Sequence, residues 1–104
     1  MQTLTSTNFA IPFSRQNNTL VLVANVAQSF TVPADCYRVH FNMDPLGQTF
    51  WVNDQATAVI PLTSKVDGLA PECNPEMRLV QPGQTLSCIS AKVGKLTISC
   101  YNTK

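Results

Sequence analysis

At 104 residues the chain has the length of one ordinary domain, enough to bury a single core and too short for two. Its formal net charge is +1 and only 12% of its residues are charged, which leaves no broad basic surface for nucleic acid and no acidic tail. The longest apolar run, Leu20 to Ala24, is strand-sized and far below the roughly 18 residues of a spanning helix, so no membrane span is expected.

The N-terminus, Met-Gln-Thr-Leu-Thr-Ser-Thr-Asn, lacks the basic start and apolar centre of a signal peptide, so the chain is expected to remain in the cytoplasm where it is made. Asn17-Asn18-Thr19 then reads as a chance match to a glycosylation sequon. Residues 8–13 form an apolar patch broken by Pro12, which would cost a central strand a ladder hydrogen bond. Residues 1–18 therefore read as an N-terminal arm whose Phe9, Ile11 and Phe13 pack either on the domain's own core or on a neighbouring subunit. Ser14 to Asn18 reads as a polar turn, and residues 19–104 as the folded domain.

Thr19 to Ala24 is apolar on both faces, as a strand in the middle of a sandwich would be. Ser29 to Asn53 holds three alternating segments separated by the turn signals Pro33-Ala34-Asp35 and Asp44-Pro45-Leu46-Gly47. Phe30 and Val32 share one face, as do Tyr37, Val39, Phe41 and Met43, and then Phe50 and Val52; the pattern predicts a β-meander. A short strand is expected over Thr57 to Ile60, and an irregular stretch from Pro61 to Pro75. Met77 to Val80, Thr85 to Ala91 and Lys95 to Tyr101 complete the set, the last with Leu96, Ile98 and Cys100 inward. Strands recur at about eight to twelve residues and no window carries helical periodicity. The fold class is all-β: an antiparallel β-sandwich of about eight strands.

Catalysis needs converging polar groups, and the sequence offers none in a known pattern. The single histidine, His40, alternates with Arg38 and Asn42 on an outward strand face, where a solvent or interface histidine is the simpler reading than a base. The six carboxylates sit in turns and loops without the spacing of a calcium loop, so neither a metal nor a cofactor is expected. Glu76 and Arg78 are placed to pair across a loop. Trp51 points away from Phe50 and Val52, into a second core layer or onto an outer face where tryptophan anchors interfaces or stacks on sugars. Cys88 and Cys100 read as free core thiols; Cys36 and Cys73 read as nearer the surface, and a bridge between those two stays open.

The segments S-F-T-V-P-A-D-C-Y-R-V-H-F, T-F-W-V-N, A-V-I-P, D-G-L-A-P-E-C-N-P-E-M-R-L and T-L-S-C-I-S resemble those of small β-sandwich virion proteins of tailed bacteriophages, over roughly Ser29 to Tyr101. The resemblance implies a jelly-roll-like core and a non-enzymatic role as a capsid decoration or cement protein. Such a protein forms homo-oligomers and binds the major capsid protein, or another virion protein, on the capsid exterior after assembly in the host cytoplasm. Its interface candidates here are Phe9, Ile11, Phe13, Trp51, Arg38, His40 and Arg78. A tail, neck or fibre site would use the same fold, and a host-glycan-binding module is the alternative from another class. The four cysteines exceed what the resemblance leads one to expect.

Overall fold

The computed structural model describes residues 12–102. Eight strands account for all its regular structure: β1 (Gln16–Leu22), β2 (Gln28–Thr31), β3 (Arg38–Asp44), β4 (Phe50–Asn53), β5 (Glu72–Cys73), β6 (Met77–Leu79), β7 (Thr85–Ser90) and β8 (Gly94–Tyr101). They form two antiparallel four-stranded sheets in the orders β1-β8-β3-β6 and β2-β7-β4-β5. Pairing is nested: β1 lies beside β8, β2 beside β7, β3 beside β6 and β4 beside β5. The chain is thus one long hairpin, with its bend between β4 and β5, rolled so that alternate pairs fall into opposite sheets. That is the jelly roll.

The alternation in the sequence decides which side chains meet between the sheets. Phe30, Val32, Val39, Phe41, Met43, Phe50, Val52, Leu86, Leu96 and Ile98 form one buried cluster, with Leu22, Val80 and three cysteines. Leu22, Leu96 and Ile98 have no exposed surface, and each such side chain stabilises the fold by about 1.5 to 3 kcal/mol. On the outer side of β8, buried Ser99 donates to Asn17 Oδ1 at 2.6 Å and half-buried Thr97 lies 3.5 Å from Thr19, cross-strand polar pairs. The turn before β7 follows from composition: Pro82 fixes its second position and Gly83, at φ +84°, its third, with Gln84 N–H donating to Gln81 O at 3.1 Å.

The meander is not formed. β2 and β4 belong to one sheet and β3 to the other. Residues 32–37 change partners midway: Val32 N–H donates to Gln84 O, just before β7, whereas Tyr37 N–H donates to Tyr101 O, at the end of β8. Alternation reports which face a strand buries, not which strand lies beside it. The polar segment read as a turn at 14–18 is mostly strand, because β1 begins at Gln16 and pairs with Cys100 there. Residues 57–60 are not a strand; Ala58 N–H is taken instead by the Ser87 side chain, at 2.9 Å. The short β5 lies inside the stretch expected to be irregular, paired with β4 at Trp51 and Val52.

Cys36 is fully buried, not near the surface. Tyr37 N–H reaches Tyr101 O at 2.9 Å while Arg38 is the Cα partner of the same Tyr101, so two residues oppose one. This is the count of a β-bulge, and the slip of one residue turns Cys36 inward and leaves Tyr37 only half-buried. Cys88 and Cys100 are buried as expected, Cys73 is exposed, and all four thiols are free. Burial pushes the Cys88 thiol up to about 12, and that of Cys100 rises to about 12 through burial and then its contact with the Cys36 thiol.

Candidate docking surface

The bend of the rolled hairpin, residues 54–71, is the longest irregular segment, and every residue from 61 to 70 is exposed. Loops of this length in small domains are commonly functional. Its two ends are fixed by Asn53, whose Nδ2 donates to Leu69 O at 2.7 Å and whose Oδ1 accepts from Gln55 N–H at 2.8 Å and Ala56 N–H at 3.1 Å. Midway, Lys65 donates to Asp67 at 3.0 Å and Leu69 N–H to the other oxygen of the same carboxylate, also at 3.0 Å. The Leu69 amide first, then Lys65, hold Asp67 below the usual carboxylate range. Between these fixed points Leu62 and Val66 project almost completely into solvent, 90% and 94% exposed, with Val59 and Leu69 also uncovered.

Beside the loop the sandwich is open along one edge, where β5 and β6 end their sheets without pairing with each other. A cleft of about 300 Å³ enters there between the sheets, with Val39, Phe41, Val52 and Leu86 as its floor and Asp54, Gln55, Gly68 and Gln84 on its rim. Arg78 and Glu72 span the mouth. Arg78 is the partner of inward Val39 and Glu72 of inward Val52, so both side chains turn to the gap. Arg78 Nη2 and Nε donate to one Glu72 oxygen at 2.7 and 3.0 Å, and this contact raises the arginine further above its ordinary value. Glu76, the expected partner, adds only a more distant attraction.

The other sequence candidates are divided among separate faces. Arg38 and His40 lie half-buried on the outer side of β3, where His40 Nδ1 is 3.2 Å from Asn42 Nδ2. Phe13 is 101% exposed and lines a groove with Arg38, Met77 and Tyr101. The chain reaches that groove because Ser14 Oγ donates to Cys100 O at 2.6 Å and the Tyr101 hydroxyl to Pro12 O at 3.0 Å. Phe9 and Ile11 lie outside the described residues. Trp51 sits on the outer side of the opposite sheet, half-buried between its register neighbours Ile89 and Cys73. Ile89 and Ala58 are buried there without belonging to the inter-sheet cluster. The tryptophan thus shares the outer face of this sheet with Ile89 and Cys73.

Sequence reasoning missed Leu46, 89% exposed, and the apolar residues of the long loop. Their signal was an apolar residue inside a turn or an irregular stretch, where no core face exists to receive it. Leu46, Val23, Val26 and Val93 lie on three loops at the end of the sandwich away from the cleft, drawn together as Gln48 Nε2 donates to Lys92 O at 2.9 Å and Asn25 N–H to Ser90 O at 2.8 Å. Among the described residues no three or more His, Cys, Asp or Glu side chains are grouped to hold a metal ion, and no helix is long and apolar enough to cross a membrane. No family model matches the chain, and no curated protein or solved structure is similar to it.

Proposed function

We propose that the chain is a non-enzymatic structural protein of a bacteriophage virion, a decoration or cement subunit that binds where capsid subunits meet. The observation that carries this reading is the set of nearly naked apolar side chains on both ends of the sandwich, Leu62 and Val66 on the long loop and Leu46 on the opposite tip. A chain with 12% charged residues has little repulsion to keep such surfaces apart, and covering them on a partner is the condition that suits them. The particular partner, a capsid lattice, comes from the resemblance of the strand and loop motifs to phage virion proteins. Modest contacts at two ends of one rigid sandwich add through multivalency. The glycan-binding alternative asks for an exposed aromatic platform; Trp51 is half-covered, and Phe13, fully exposed in a groove with Gln16, Asp35 and Asn102, is the side chain that would serve it.

The test is to follow the protein through gradient purification of phage particles from its source and then to image those particles by electron cryomicroscopy. The expected result is co-sedimentation at fixed stoichiometry, with density for the sandwich on the head. The pair of substitutions Leu62→Ser and Val66→Ser should leave the fold intact and weaken attachment about tenfold or more, to what the opposite tip alone supports. Density confined to the tail or neck would move the protein within the virion, and its absence from the particle would overturn the proposal.

A further inference from the structure

Two of the four thiols lie on the inward face of one sheet, on β8 and just before the neighbouring β3, and their surroundings single them out as a pair. Cys36 and Cys100 belong to the same buried cluster. The Cys36 thiol donates to Arg38 O at 3.5 Å, and Arg38 and Val39 lie opposite Tyr101 and Cys100 in the ladder. The bulge at Tyr37 turns the Cys36 side chain to the inward face of the same sheet, next to the position of Cys100 on the neighbouring strand. Cys88 lies in the other sheet, paired with Gln28 and Val52, and Cys73 is on the outer side of β5.

We propose that Cys36 and Cys100 close an intramolecular disulfide when the protein meets a small-molecule disulfide such as oxidised glutathione. One protein thiolate attacks a sulfur of the oxidant, forming a mixed disulfide and expelling one glutathione thiolate. The second protein thiolate attacks the protein sulfur of that mixed disulfide and expels the other glutathione. Two protons leave the cysteines and two electrons pass to glutathione. A disulfide needs the sulfurs at about 2 Å, and the necessary movement falls on the turn before β3, where Cys36 N–H donates to Pro33 O at 3.2 Å, while the next residue, Tyr37, stays tied to Tyr101 O and Val80 N–H. The bond would tie that turn to the strand whose Cys100 carbonyl anchors Ser14, so oxidation stiffens the point where the N-terminal arm leaves the sandwich. Burial of both thiols makes the reaction slow.

The experiment uses the full chain carrying Cys73→Ser, which removes the exposed thiol and with it intermolecular bridging. After incubation in a glutathione redox buffer, intact mass and peptide mapping without reduction are read. The expected product has lost two hydrogens, carries no glutathione, and yields one cross-linked peptide joining Cys36 to Cys100, with Cys88 still free. A bridge to Cys88, a lasting glutathione adduct on Cys36 or Cys100, or no oxidation of the folded protein under conditions that oxidise the unfolded chain would each overturn the proposal. None of these outcomes depends on what the protein binds.

Discussion

Replacing Asn53 by alanine should loosen the long loop without dismantling the sandwich. Asn53 is buried at the end of β4, and its amide makes three hydrogen bonds, to Leu69 O and from Gln55 and Ala56 N–H. A net contribution near 1 kcal/mol for each bond sets the loss at about 2 to 3 kcal/mol. The upper value holds only if water fails to reach the freed groups, and residues 55, 56 and 69 are exposed enough to admit it. Asn53→Asp separates the two halves of the effect: it keeps the oxygen that accepts from residues 55 and 56 but sets an acceptor against Leu69 O, so the loop should come away at residue 69 while residues 55 and 56 stay anchored. Urea unfolding measures the loss, and proteolysis within residues 61–70 measures loop opening. An alanine variant within about 0.5 kcal/mol of the parent, cleaved at the parent's rate, would refute the reasoning and shift the anchoring role to the Ala58–Ser87 bond.

Three further outcomes are expected. A Cβ at Gly94 would lie 2.7 Å from Gln48 Nε2 and 3.2 Å from Asp44 O; Gly94→Ala should therefore expel the Gln48 amide from Ser90 and Lys92 and cost about 1 to 2 kcal/mol, read as a lower melting temperature. Cys88 and Cys100 ionise near 12 when folded. The unfolded chain releases those protons first, so stability is intact below the ordinary thiol value and falls as pH rises towards 12. The slope approaches about 2.7 kcal/mol per pH unit for two thiols, and unchanged urea midpoints between about pH 8 and 10 would contradict it. Asp67 titrates below a free aspartate, so its bonds to Leu69 and Lys65 are present above the usual carboxyl range and lost as pH falls through its lowered value. Lys65→Ala should move its NMR titration midpoint upward.

The faces of the strands were legible because a half-buried strand writes its orientation at every second residue. Phe30 and Val32, Val39 to Met43, Phe50 and Val52, and Leu96 to Cys100 all turn inward as their spacing predicts. Nothing in that alternation names the neighbouring strand, and so the three segments read as a meander divide between two sheets. Cys36 escaped for a related reason, since a bulge inserts one residue into the count and reverses the parity beyond it. Residues 57–60 have the composition of a strand, but the Ser87 hydroxyl satisfies the Ala58 amide without a ladder. The candidate surface was legible only in part. Its irregular length and the exposed side of Arg38 and His40 could be read, whereas the cleft under Arg78 and Glu72 exists only once two distant edges meet.

The position of β8 governs how the protein must be made. It is the last of the described strands, yet it stands between β1 and β3, so neither has its main partner until β8 has been synthesised. Until then a nascent chain on the ribosome carries the apolar faces of Leu22, Val39 and Phe41 beside unpaired backbone edges, the state most open to pairing with another chain. Removing the closing strand therefore leaves β1 without its partner and β3 with only the short β6 beside it.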